Sequence, residues 1–271
     1  MVFKKISLDA NAYLDAYIPE KMKALTRKAL LIIPGGAYYG LDKLREGEAI
    51  AHAFLPHGYV PFILTYSVRG SGGGVFPTQL IEASKAIKHI KDNAEEYGID
   101  PEGVFAAGFS AGGHLAGSLG VLWDNEEIYK EIDMPFGYNK PKGVMLIYPV
   151  VTGVEDFSHI GSFYNLLGTE TPTETDLLKC SIEKHVNESS VPAFIMHTGT
   201  DQAVNVRNSI CLADAYAKNK VPFELHIYPE GPHGVALGNK ITECGNEKWV
   251  DASIAKWVDN AVYWADKLCL Q

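Results

Sequence analysis

The sequence predicts an α/β protein: a mostly parallel central sheet flanked by helices on both faces, built as a single domain over 271 residues. Two observations predict it. Short apolar runs alternate with longer amphipathic ones, which is the rhythm of β-α-β crossovers. Several of the short runs are apolar throughout, as strands covered on both faces must be. No composition shift marks a second domain and no internal repeat occurs. With 46% apolar and 21% charged residues, the chain can bury one sizeable core.

Taken in order, weak runs near Phe3 and Tyr13 could add antiparallel strands at one edge of the sheet. The stretches KALLIIP (28–34), YVPFILTY (59–66), GVFAAGF (103–109), KGVMLIYP (142–149), PAFIMHT (192–198) and PFELHIYP (222–229) read as strands. Between them fall helix candidates. Asp42 to His57 stops at Gly58, and Pro77 to Tyr97 stops at Gly98 with Leu80, Ala83, Ile87, Ile90 and Ala94 on one stripe. Asn205 to Asn219 follows Asp201, and Glu247 to Leu270 aligns Val250, Ile254, Trp257, Ala261 and Trp264. Residues 150–191 break the rhythm. They separate two strands by about forty positions, too many for one crossover, and read as an insertion of two or three short helices capping one end of the sheet. The Gly-rich RGSGGGVFP (69–77) lacks the Lys-Ser/Thr ending of a phosphate loop and reads as a flexible loop.

The formal charge of −9, with no basic cluster, argues against nucleic acid as a partner. Cys180, Cys211, Cys244 and Cys269 lie far apart, with no paired Cys/His spacing, so neither a zinc site nor a disulfide framework is expected. Two N-terminal lysines have no apolar stretch behind them, and no run approaches the roughly 20 residues that cross a bilayer. The expectation is a soluble cytoplasmic protein without membrane contact. Its oligomeric state is not legible.

The stretch GFSAGG (108–113) follows one strand and opens a helix. In open parallel sheets ligands bind beyond the carboxyl ends of strands. A sharp strand-to-helix turn there would project the Ser110 hydroxyl, and a side chain at Gly108 or Gly112 would collide across so tight a turn. The helix beginning at Ala111 aims backbone N–H groups at the same spot, where an oxyanion would develop. A serine hydroxyl needs a base, and the base an orienting acid; on this fold they follow in the order Ser, Asp or Glu, His. Asp201 lies just past the strand PAFIMHT, and His233 lies just past the next strand. Both sit on loops at the edge that carries Ser110.

The other histidines fit less well. His52, His57, His89, His114 and His185 fall in or at the ends of helix candidates, and His197 and His226 lie within strands, as packed or satisfied core residues. His159 could serve only if the insertion folded over Ser110. His114, four residues after Ser110, shares the helix face beneath the turn and reads as a structural hydrogen bonder. The other half of an oxyanion hole should come from PGGAYYG (34–40), where Gly35 and Gly36 let backbone approach a substrate closely. Tyr38 and Tyr39 would then stand at the pocket mouth, to pack an acyl chain or stack on a sugar ring, or else to pack on the surface.

Together IIPGGAYYG, AAGFSAGGHLAG, PAFIMHTGTDQAVNV and PFELHIYPEGPHGVAL resemble the α/β-hydrolase superfamily, in its esterase/lipase branch of acetyl-xylan-esterase-like and feruloyl-esterase-like proteins. The resemblance runs over nearly the whole chain. It implies Ser110 as nucleophile, Asp201 as orienting acid and His233 as general base. It also implies main-chain oxyanion donors at Ala111 and in the Gly35-Gly36-Ala37 region. The esterase pattern His-Gly-Gly-Gly stands here as Pro34-Gly35-Gly36-Ala37, which leaves Gly36 and Ala37 open as the donor. The implied activity is hydrolysis of short acyl esters, acetyl esters of carbohydrates among them, with no metal or organic cofactor. An amide hydrolase of the same fold and a non-catalytic binding protein are the alternatives.

Overall fold

A computed structural model describes residues 1–22 and 26–270. Strands β1 (Val2–Ser7), β2 (Tyr13–Ile18), β3 (Arg27–Ile33), β4 (Tyr59–Thr65), β5 (Ile99–Phe109), β6 (Val144–Ile147), β7 (Ala193–Thr198) and β8 (Phe223–Tyr228) form one sheet. Their spatial order is β1-β2-β4-β3-β5-β6-β7-β8. β1 and β2 add the antiparallel edge, and every later pairing is parallel.

The central strands are buried on both faces, which is why they read as continuous apolar runs. Side chains alternate along each strand. Ala29, Leu31, Ile33, Val104 and Ala106 feed one core, whereas Leu30, Ile32, Phe105 and Ala107 feed the other. The helices are α1 (Ala49–Phe54), α2 (Thr78–Asp92), α3 (Ala94–Tyr97), α4 (Ala111–Val121), α5 (Glu126–Glu131), α6 (Ile160–Leu167), α7 (Glu174–Cys180), α8 (Arg207–Lys218) and α9 (Trp257–Cys269). Leu80 and Ile87 of α2, Leu115 and Leu119 of α4, and Leu212 and Tyr216 of α8 cover the first face. Ile50 and Phe54 of α1, with Trp257, Ala261 and Trp264 of α9, cover the second.

Three helix boundaries differ from the pattern of the sequence, each for a local reason. Asp42–His57 opens as a wide turn over Leu44–Glu48 before α1, and Pro56 then tightens its end into a 3₁₀ turn over Leu55–His57. Pro77–Tyr97 breaks after Asp92, where the Asn93 side chain donates to the His89 carbonyl at 2.8 Å. The last helix starts only at Trp257. Upstream, Asp251 Oδ1 accepts the N–H groups of Ser253 (2.7 Å) and Ile254 (3.0 Å), an alternative to continuous helix. β8, the far edge, is only half-buried, so His226 lies against Phe194 at the sheet margin and not in the core.

Within 150–191 lie α6, α7 and a 3₁₀ turn over Ile182–Lys184. Phe163 and Leu166 anchor α6 in the first core, and Asn165 reaches the Ala37 carbonyl at 2.9 Å. That contact brings the segment to the carboxyl end of the sheet. β3 lies between β4 and β5 at the point where strand order reverses, so the loops after β3 and β5 open onto one crevice. Among the described residues, the four cysteines are free and no helix is long and apolar enough to cross a membrane.

Candidate active site

Ser110 is the single residue between β5 and α4. Its φ of 53° and ψ of −119° are strained for a residue with a side chain, and they turn Oγ out of the sheet. The surrounding backbone holds this conformation: Ser110 N–H donates to Ile147 O at 3.0 Å, and its own carbonyl accepts from Val150 N at 3.0 Å. A Cβ on Gly108 would meet Gly112 O at 2.1 Å, and one on Gly112 would meet Ile33 O at 2.1 Å. Only glycine lets the strand and helix approach this closely.

The loops after β7 and β8 bring Asp201 and His233 to the same point. Ser110 Oγ–H faces His233 Nε2 at 2.8 Å, and His233 Nδ1–H faces Asp201 Oδ2 at 2.7 Å. The other Asp201 oxygen accepts the N–H groups of Ala203 and Val204, both at 2.9 Å, which fixes the carboxylate plane. Burial pushes the Asp201 carboxyl up. Hydrogen bonds from His197 and His233, with the charge of the latter, outweigh that and hold it well below the usual carboxylate range.

His197 is buried, as its strand position predicts, with Nε2 at 2.9 Å from Val204 O and Nδ1 at 2.7 Å from Ser209 Oγ. It also stands 3.3 Å from Asp201 Oδ2, a contact that sequence reasoning missed although the two residues are four apart.

The loop after β3 is held open around the site. Gly36, Ala37 and Tyr38 all have positive φ (139°, 55° and 57°). Pro34 O accepts the Tyr66 hydroxyl at 2.8 Å, and Gly35 N–H donates to Glu46 Oε2 at 2.8 Å. Gly35 therefore spends its N–H inside the protein, whereas Gly36 and Ala37 line a cavity of about 340 Å³ together with Ser110 and His233. Ala111, the residue after Ser110 and first of α4, is buried.

Tyr38 does not stand at the pocket mouth. The two left-handed residues turn it into the core, where it is 1% exposed and its hydroxyl meets His114 Nδ1 at 2.8 Å. Tyr39 is 63% exposed and stays outside the cavity lining, its carbonyl held by Gly70 N–H at 3.0 Å. The aromatic that lines the cavity is Trp249, with the Arg45 guanidinium 3.9 Å above its ring. The helical repeat read over 247–270 aligns Val250, Ile254 and Trp257 and gives no sign that Trp249 reaches the site.

Two further histidines take contrasting places. His159, from the insertion, does reach the cavity, with Nδ1 at 2.9 Å from Ser162 Oγ. Burial, and then the charge of His233, lower its pKa. His114 is buried below the turn between Tyr38 OH and Cys180 O, and desolvation lowers its pKa to about 4. A roomier hollow of about 450 Å³ lies beyond the His233 loop, lined by Thr200, Glu230 and Lys248 among others, but Ser110 does not reach it. Among the described residues, no cluster of three His, Cys, Asp or Glu side chains is arranged to hold a metal ion.

Comparison with known proteins places these features. The BD-FAE family model matches residues 14–216. Endo-1,4-beta-xylanase B of Butyrivibrio fibrisolvens is 36% identical over 218 residues, 79% of this chain and 33% of that protein. Acetylxylan esterase of Xylanibacter ruminicola is 27% identical over 239 residues, 86% of this chain and 45% of that protein. The chain thus spans less than half the length of either relative. The crystal structure of an acetyl ester-xyloside bifunctional hydrolase from Caldicellulosiruptor lactoaceticus matches with a TM-score of 0.82 at 29% identity, covering 98% of this chain and 96% of that one. With the family model spanning most of its length and the sheet order of the α/β-hydrolase fold, the chain belongs to the BD-FAE family, in the esterase branch of the α/β-hydrolase superfamily.

Proposed function

We propose that this chain is a serine carboxylesterase that cleaves short acyl esters, acetyl esters of carbohydrates among them, through an acyl-enzyme on Ser110. The observation that carries the reading is the relay of 2.8 and 2.7 Å from Ser110 through His233 to Asp201, at a strained turn facing a cavity. His233 takes the Ser110 proton as Oγ attacks the ester carbonyl, and the buried Asp201 carboxylate stabilises the imidazolium. The N–H groups of Ala111 and of Gly36 or Ala37 receive the developing oxyanion. His233 then gives its proton to the leaving alcohol, and water attacks the acyl-enzyme by the same route.

A cavity of about 340 Å³ suits a short acyl group with part of its alcohol. The carbohydrate assignment draws on the acetylxylan esterase and the acetyl ester-xyloside hydrolase among similar proteins. Ser110→Ala should lower turnover of p-nitrophenyl acetate by about 10⁴-fold or more and leave the melting curve in place. It should also abolish covalent labelling by a fluorophosphonate. Unchanged turnover, or labelling that survives the substitution, refutes the nucleophile. Rates across acetyl, butyryl and octanoyl esters, acetylated xylo-oligosaccharides and aryl amides test the substrate class. A preference for octanoyl esters or for amides overturns it.

A further inference from the structure

Glu46 is a buried carboxylate inside the site, 4% exposed, that the relay does not use. Its two oxygens have separate partners. Oε2 accepts the Gly35 N–H at 2.8 Å, and Oε1 accepts the Tyr148 hydroxyl at 2.9 Å. The Tyr148 oxygen in turn accepts the Ala236 N–H at 3.1 Å, three residues past His233. The Tyr148 ring stands edge-on to the His233 imidazole, with centroids 5.0 Å apart. Tyr148 itself holds a positive φ of 39° at the end of β6, a backbone conformation that a bulky residue adopts only where its surroundings impose it. A Cβ on Gly35 would lie 2.8 Å from Glu46 Oε2 and 2.9 Å from Ser110 Cβ, so the carboxylate, the loop and the nucleophile are packed against one another.

We propose that Glu46 is a positioning residue of this site, its carboxylate tying the oxyanion loop, through Gly35, to the loop that carries His233, through Tyr148 and Ala236. The inference rests on the relay reading above and adds to it. A buried carboxylate is costly to keep, and a neutral apolar residue would pack the same space at less expense. Here both partners are donors that point at it, an arrangement matched to the ionised form.

Burial raises the Glu46 carboxyl above its ordinary value, and the Gly35 N–H and Tyr148 hydroxyl offset that only in part. The charged and titratable groups facing it are Asp42 and Arg45 on its own turn, Tyr66 after β4, Tyr148 after β6, and His233 after β8. Arg45 is already engaged by Asp42 Oδ2, Thr242 O and Gly234 O. His233 faces Asp201, His159 and Glu46.

The test compares wild type, Ser110→Ala, Glu46→Gln and Tyr148→Phe on p-nitrophenyl acetate between pH 5 and 9. Glu46→Gln should lower kcat about 10- to 100-fold with KM within about threefold, because geometry for the transition state is lost and ground-state binding is not. Tyr148→Phe removes the hydroxyl that joins Glu46 to Ala236, so kcat should fall there too with KM little changed. A Glu46→Gln enzyme with kcat within twofold of wild type, or with KM raised as much as kcat is lowered, overturns the proposal. If Glu46→Gln does not fold, Tyr148→Phe decides: wild-type kcat there overturns the tie between the loops. Activity surviving in Ser110→Ala would instead sink the relay reading, so the two failures are distinct.

Discussion

Acid should destabilise this fold through His114, and the size of the effect follows from the geometry below the nucleophile. His114 is fully buried, with Nε2–H donating to Cys180 O at 2.6 Å and Nδ1 accepting from Tyr38 OH at 2.8 Å. Both nitrogens are satisfied in the neutral ring, and desolvation lowers its pKa from 6.5 to about 4. The unfolded chain therefore binds this proton below about pH 6.5, whereas the folded chain resists it until about pH 4. The stabilisation is fully present above pH 6.5 and drains away as pH falls towards 4. At about 1.4 kcal/mol per pH unit, that interval corresponds to roughly 3 kcal/mol.

The comparison is with His114→Gln, whose amide N–H can keep the bond to Cys180 O but does not titrate. Urea unfolding at pH 7.5 and 4.5 yields the stability gap between the two proteins at each pH. Wild type should lead at pH 7.5, and the gap should shrink by roughly 2 to 3 kcal/mol at pH 4.5. Other acid-labile groups, Asp201 among them, shift both proteins alike and cancel. A gap constant to within about 0.5 kcal/mol would refute the claim that His114 is held neutral by its surroundings.

Two further outcomes follow from the site. Asp201→Asn replaces the acceptor of His233 Nδ1–H with an amide that can present an N–H there; kcat on p-nitrophenyl acetate should fall by about 10⁴-fold with little change in far-UV circular dichroism. Gly112→Ala places a Cβ 2.1 Å from Ile33 O, so α4 must retreat from β3. A loss of roughly 4 kcal/mol or more, read as a melting temperature lower by about 10 °C or as insoluble expression, is expected.

Much of this protein was written locally. Burial on both faces makes the central strands continuous apolar runs, so their order and approximate bounds could be read without coordinates, as could the antiparallel edge near Phe3 and Tyr13. Ser110 was legible because so tight a turn imposes glycine at fixed offsets. Asp201 and His233 were legible because chain order and strand ends point to one rim, and the structure brings them within hydrogen-bond reach.

What tertiary structure alone decided is where residues go once far-apart segments meet. Tyr38 turns inward because two left-handed residues and a partner 76 positions away, His114, draw it there. Trp249 and His159 reach the cavity from segments whose periodicity said nothing about where they would fold. Glu46, one more acid on an amphipathic stretch, becomes a buried hinge between two loops only when Tyr148 arrives from 102 residues along the chain. Local pattern records which faces avoid water; which polar groups share a dry space depends on long-range closure, and no short window of sequence contains it.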